Sequence, residues 1–207
     1  MGSEMCIRDS LIHRPDSYTV LKARTVWNKL MIVSITEEIL TERCRLRYPS
    51  KDDFPHIWSA TRVEGFNDGM LWDPPANISE LEEPLLRSQE AWAKGESFAW
   101  SIDLRDTSEF AGRIAIRQGD DPAEWSIGFW IHPSVQKSGI ATEAARAIVN
   151  FGFESLGAGL ITAAHATWNK SSGRVLSKIG MTQVRLNPRG FKKRGEWVEE
   201  YEYELRG

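Results

Sequence analysis

Within "ERCRLRY" at positions 42–48, polar and apolar residues alternate from Arg43 onward. Cys44, Leu46 and Tyr48 share one face, and Arg43, Arg45 and Arg47 the other, which predicts a half-buried strand with Cys44 in the core. "SKDD" follows, where Ser50 and Asp53 form a capping box opening a helix to about Val63. "FNDGMLWDPPAN" then breaks all periodicity with Gly, Asn and Pro-Pro, and predicts an exposed loop. A second capping box, Ser79 with Glu82, opens a helix to about Gly95. "SFAWSIDL" and "EFAGRIAIRQ" read as strands of a hairpin joined by "RDTS", and "EWSIGFWIHP" as a strand stopped by Pro133. Ile140, Ala144, Ala147, Ile148 and Phe151 then recur at helical spacing. "LITAAHATWN" predicts a strand and "KSSGRVLSKIG" a short helix ending at Gly180. "MTQVRL" and "EWVEEYEYEL" close the chain as strands around a basic loop, "NPRGFKKRGE". The order β-α-α-β-β-β-α-β-α-β-β, with crossovers and a flanking hairpin, indicates a mixed α/β sheet.

Residues 1–30 differ from the rest: charge is mixed and apolar residues follow neither period. They read as a non-native or loosely ordered extension, and residues 31–207 as a single domain. No apolar run approaches the ~20 residues a membrane span needs. The chain carries 26 Lys and Arg against 29 Asp and Glu, a formal net charge of −3, which gives no electrostatic reason for a nucleic-acid or acidic-membrane partner. Two cysteines in 207 residues allow neither a disulfide framework nor a cysteine-rich metal site, so a cytoplasmic setting is expected.

The segment with the most chemical content is "HPSVQKSGIATEA". A P-loop would need GxxxxGK[ST] and a dinucleotide turn GxGxxG, and both are absent. What remains is Gln136-x-x-Gly139-x-Ala141 between a strand and a helix. In that register backbone N–H groups from about Lys137 to Thr142 line one concavity suited to a pyrophosphate.

Q-x-x-G-x-G/A in this context resembles the acyl-CoA pyrophosphate loop of the GNAT N-acetyltransferases. "WIHPSVQKSGIATEA" is similar to the version in the RimJ/RimL-like branch, whose members acetylate protein N-termini and various small amines. "NKSSGRVLSKIGM" resembles that branch's N-x-x-S…L-x-K-x-G-F segment, and "LRYPSKDDFPHIW" its opening strand and helix. The resemblance implies a mostly antiparallel sheet of about seven strands flanked by about four helices, splayed between the fourth and fifth strands. It implies transfer of an acetyl group from acetyl-CoA to a primary amine, without a metal. Gln136, Lys137, Ser138, Gly139, Ile140, Ala141 and Thr142 would cradle the pyrophosphate, and Trp130, Ile131 and His132 would pair with the pantetheine arm, with a strand bulge at Gly128. Asn169 would bond the pantetheine, or simply cap the following helix.

Many GNATs place a tyrosine acid in the last short helix; the matching position is Leu176. Ser172, earlier in that helix, is the candidate to bond or protonate the leaving sulfur, or else a serine satisfying backbone. The branch often has a glutamate where this chain has Ser126. Glu124, on the same strand face, is either a proton relay through water or a solvated edge charge. Asp68, Trp72, Asp73 and Ser126 are the candidate acceptor contacts, the aspartates receiving a cationic amine or merely forming turns. A weak base favours a low-pKa amine: an α-amine near ~8 is roughly a tenth neutral at pH 7, a lysine near ~10.4 less than about 0.1%. The implied acceptor is therefore a protein or peptide N-terminus. The alternatives are a small amine (aminoglycoside, polyamine or amino-acid-like) or a degenerate acyl-CoA-binding protein. The protein is expected to be a monomer or homodimer.

Overall fold

The computed structural model describes residues 33–207 and, as backbone, residues 5–6. The reading of residues 1–30 as an extension lies otherwise outside the described residues. Among the described residues nine strands form one sheet: β1 (Met5–Cys6), β2 (Ile39–Leu40), β3 (Cys44–Arg47), β4 (Ser97–Leu104), β5 (Phe110–Gln118), β6 (Glu124–Ile131), β7 (Leu160–Ala166), β8 (Thr182–Lys193) and β9 (Glu196–Arg206). Seven are those the sequence pattern predicts; β1 and β2, two residues each, are too short to leave a periodicity. The main path runs β2-β3-β4-β5-β6-β7-β9-β8, and β1 pairs with β6. Every pairing is antiparallel except β6 with β7.

The helices are α1 (Phe54–Thr61), α2 (Glu82–Ala93), α3 (Ile140–Glu154) and α4 (Lys170–Lys178). The Ser50–Asp53 capping box forms as predicted, on a 3-10 turn that feeds α1. The Ser79–Glu82 box does not. A 3-10 turn at Ile78–Leu81 precedes α2, and Glu80 accepts from Ala76 N at 2.8 Å and Asn77 Nδ2 at 2.6 Å instead. The basic stretch 187–196 is strand rather than loop as far as Lys193, with a two-residue turn at Arg194 (φ 51°) and Gly195 (φ 87°). Positive φ at both positions matches the right-handed twist of a tight hairpin.

One face of the sheet is apolar throughout. Phe98, Trp100 and Ile102 of β4, Ile114 and Ile116 of β5, and Ile127, Phe129 and Ile131 of β6 are at most 1% exposed and pack with α3. Trp92 of α2 stands edge-on to Phe98 and Trp100 at 5.2 and 5.0 Å. Gly152 lets α3 lie close: a Cβ there would meet Ile116 and Ile161 Cδ1 at 2.8 Å. Cys44 lies wholly inside this core, and burial pushes its thiol up to about 11. A smaller cluster on the opposite face joins Phe54 and Ile57 of α1, Phe66 and Met70 of the following loop, Leu85 of α2, Phe110 and Trp130.

Candidate acyl-CoA and acceptor site

β6 and β7 run together only at Glu124–Leu160, Trp125–Ile161 and Ser126–Thr162. Beyond these pairs β6 stays with β5 and β7 with β9, so a wedge opens between them. The predicted splay is therefore present, but Gly128 is not a bulge. It faces Ala115 in unbroken register, and the sheet's irregularity near this point lies between Ile102 and Asp103 of β4.

Backbone direction alternates along a strand. His132 N donates to Ala111 O at 2.8 Å, and Trp125 O accepts from Thr162 Oγ1 on the β7 side at 3.3 Å. The backbones of Trp130 and His132 therefore face β5, whereas Ile127, Phe129 and Ile131 face the wedge. Of the three residues expected to pair with a pantetheine arm, only Ile131 is directed to it, and its carbonyl accepts from Gln136 Nε2 at 3.1 Å. Phe129, which sequence reasoning missed, is the second; counting outward from a known ladder bond would have found it. Met5 and Cys6 pair with Trp130 and Phe129 at this edge.

The strand leads into a tightly wound turn. Ser138 Oγ donates to Val135 O at 2.6 Å, and Lys137 (φ 64°) and Gly139 (φ 87°) are both left-handed. Gly139 is the N-cap of α3, and no side chain of the described residues caps that 15-residue helix. The N–H groups of Ile140, Ala141 and Thr142 thus lack helical acceptors, at the positive end of the dipole. Ile140 and Ala141 are 3% and 1% exposed: their side chains face the core, so Ala141 is small for packing while its N–H serves the turn.

Arg43, which the alternation placed on a solvent face, braces this turn. Its Nη1 donates to Ser138 O at 2.9 Å and its Nε to Glu143 Oε2 at 2.7 Å. Glu143 Oε1 accepts from Arg43 N at 2.7 Å and Thr41 Oγ1 at 2.5 Å. Burial alone would raise the Glu143 carboxyl, but these bonds outweigh it and hold it below its ordinary value. Arg43 Nη2 lies 3.3 Å from where a Cβ on Gly139 would sit, above the free N–H groups. A groove of about 560 Å³ continues from here, lined by Arg43, Thr142, Arg146, Asn150 and Lys178. An uncapped helix start, a turn with two left-handed residues and three cations suit the phosphates of an acyl-CoA.

On the far side of the wedge, Asn169 ends the β7 segment and caps α4, its Oδ1 accepting from Ser172 N at 3.3 Å. Ser172 is fully buried in the first turn, and Leu176 lies in the core. His165 is held between Ala166 O at 2.8 Å and Tyr203 Oη at 3.4 Å, and burial lowers its pKa. His132 is occupied by Ser59 Oγ at 3.0 Å and Ser134 Oγ at 2.7 Å, and burial also lowers its pKa. Glu124 and Ser126 sit on β6 at the closed end of the wedge, both partly exposed.

The loop 66–73 arches toward this junction: a Cβ on Gly69 would lie 3.1 Å from the Trp168 ring and 3.6 Å from Asn169 Nδ2. The hairpin tip closes on the same loop. Lys193 Nζ bonds Asp73 Oδ1 at 2.7 Å and Trp72 O at 2.9 Å, and Arg194 Nη2 is 3.6 Å from Asp68 Oδ1. Both aspartates expected to receive an amine therefore face cations of the chain itself, and the Lys193 hydrogen bond lowers the Asp73 pKa.

Comparisons agree with this geometry. The family model described as "Acetyltransferase (GNAT) domain" matches residues 43–182. An uncharacterized N-acetyltransferase of Bacillus subtilis (strain 168), YnaD, is 33% identical over 167 residues, covering 81% of this chain and 95% of its own. A putative ribosomal-protein-serine acetyltransferase from Vibrio cholerae shares the fold with a TM-score of 0.74 at 22% identity, over 84% of this chain and 100% of its own. RimL, a ribosomal L7/L12 α-N-protein acetyltransferase solved with coenzyme A, does so with a TM-score of 0.74 at 16% identity, over 82% and 98%. With the family model spanning most of the domain and the wedge, turn and brace all in place, the chain belongs to the GNAT family and is an acyl-CoA-dependent N-acetyltransferase.

Proposed function

We propose that the acceptor is the α-amino group of a protein or peptide. The observation that carries this reading is the weakness of the base around the wedge. Both nearby histidines are engaged and have lowered pKa values, and the position beside the opening is Ser126, with Glu124 one strand repeat further back. Such a site suits an amine that is already partly neutral. Neighbours of the same fold include an α-N-protein acetyltransferase, in keeping with this choice. The pairing of Asp68 and Asp73 with Arg194 and Lys193 removes the acidic surface a polycationic acceptor would need.

Acetyl-CoA supplies an activated thioester. The free N–H groups of Ile140 to Thr142, with Lys137 and Arg43, hold its phosphates. The β6 edge at Phe129 and Ile131 meets the pantetheine arm once β1, which pairs with Phe129 through Cys6, leaves that edge. Ser172 donates a hydrogen bond at the departing sulfur, and Glu124 receives the amine proton through water. Peptides with a free α-amine and no lysine, compared with N-blocked peptides carrying one lysine, test the reading through thiol release at pH 7. The neutral fractions predict an α-amine preference on the order of 100-fold. Equal rates, or a preference for lysine, overturn it.

A further inference from the structure

The sheet face opposite α3 is polar where β4, β5 and β6 cross its centre. Three residues with little or no side chain, Ala99, Ala115 and Gly128, stand in register across the three strands. On one side of them lie Ser101, Arg113 and Trp130, on the other Ser97, Arg117 and Ser126. Ser97, Ala99, Arg113, Arg117 and Ser126 all keep partial exposure, unlike the fully covered face beneath α3.

Charge on this face is unbalanced. Asp103, 2% exposed, accepts from Arg45 Nη2 at 2.9 Å and from Arg47 Nε at 2.7 Å and Nη2 at 3.1 Å. Asp53, 1% exposed, accepts from Arg47 Nη2 at 2.6 Å, Ser101 Oγ at 2.5 Å and Ser50 N at 3.1 Å. Both carboxylates are thus saturated by β3 and its surroundings. Arg113 makes no hydrogen bond or ion pair among the described residues. The charges acting on it are Asp53, Arg117 and Arg47, one anion against two cations. A partly buried guanidinium in such a position is a receptor for an oxyanion.

Its place fits the acceptor. Trp130, its neighbour on β6, forms the apolar wall with Phe66 edge-on at 5.4 Å. Gly128, where β6 flanks the wedge, is two residues from Trp130, or ~6.6 Å. We infer that Arg113 binds a carboxylate of the acceptor, carried within a few bonds of the reacting amine. This rests on the α-amine reading and narrows it. Two sources share the chemistry: the α-carboxylate of a free amino acid, or an acidic side chain next to a peptide N-terminus.

The test measures acetyl transfer by wild type, Arg113→Gln and Arg113→Lys, with acetyl-CoA binding of each followed by calorimetry. Acceptors come in matched pairs, each compared at equal concentrations of neutral amine: an amino acid and its amide, and tripeptides with Asp or Asn at the second position. The expected result is a preference of the wild type for one acidic member by about tenfold or more, as one charge-assisted pair supplies. It should be expressed mainly in KM, lost in Arg113→Gln and partly kept in Arg113→Lys, with acetyl-CoA affinity unchanged. Which pair shows it identifies the source. Equal rates within both pairs, or a preference surviving Arg113→Gln, overturn the inference and leave the α-amine reading standing. Transfer to no amine by a wild type that binds acetyl-CoA overturns both. The wild-type comparison decides even where a variant fails to bind acetyl-CoA.

Discussion

The donor and acceptor ends of the wedge are built by different means. At the donor end, a turn of a few residues with two left-handed positions leaves helix N–H groups bare, and one arginine braces it. At the acceptor end no short segment makes the site. The loop 66–73 is held by Lys193 and Arg194, more than a hundred residues away, and by the ring of Trp168. A site made of backbone dipoles binds any acyl-CoA alike. A site made of side chains from distant segments can change its acceptor without disturbing the donor. The difference predicts that donor-end substitutions act on acetyl-CoA affinity and acceptor-end substitutions on acceptor KM.

Gly139→Asp should give the largest effect. Asp tolerates the left-handed conformation better than most residues. Its carboxylate would sit beside Arg43 Nη2, in the space the phosphates need. Acetyl-CoA Kd should rise at least about 100-fold, or ~2.7 kcal/mol, by calorimetry. The melting temperature should fall modestly, by the cost of a side chain at φ 87°. Retained affinity would break the donor half of the comparison.

Arg43→Met comes next. It removes a cation and the link between Ser138 and Glu143, and acetyl-CoA Kd should rise about tenfold, or ~1.4 kcal/mol. Glu143 gives the same brace a pH dependence. Its carboxyl is lowered in the folded protein, so its contribution to stability is complete above the ordinary carboxylate pKa, near ~4.3. It is lost as pH falls through the lower folded value. Wild type should therefore lose stability in that window more steeply than Glu143→Gln in denaturant titrations. Parallel curves would show that Glu143 adds no pH-linked stability.

The same difference decides what the sequence reveals. The turn 136–142 was readable because its geometry is written in adjacent residues: a strand stop, one glycine and a helix start. The sheet and helices follow from two periodicities. Arg43 was placed on a solvent face because alternation describes a strand, and β3 begins one residue later, at Cys44. The Gly128 bulge and the Ser79 cap were expected from residue type, but register and Glu80 decided otherwise. The partners of Asp68 and Asp73 could not be read, because nothing local to an aspartate says which distant lysine will reach it. Arg113 was hidden in the same way: its significance depends on Asp53 and Asp103 being used by other arginines.

The smallest effects separate the two members of the hairpin contact. Lys193 is the covered partner, its side chain 8% exposed, and it also bonds Trp72 O; Asp73 is 72% exposed. Lys193→Met should release the loop from the hairpin and raise acceptor KM by about three- to tenfold, on the order of 1 kcal/mol, in keeping with a partly buried charge-assisted bond. Asp73→Asn leaves Lys193 bonded to Trp72 O and removes only an exposed pairing, so acceptor KM should move by less than about twofold. Acetyl-CoA affinity should stay constant in both. If Asp73→Asn raised acceptor KM more than Lys193→Met, the aspartate would be receiving the amine directly. Lys193 would then be its competitor rather than its anchor, and the acceptor end would be as locally determined as the donor end.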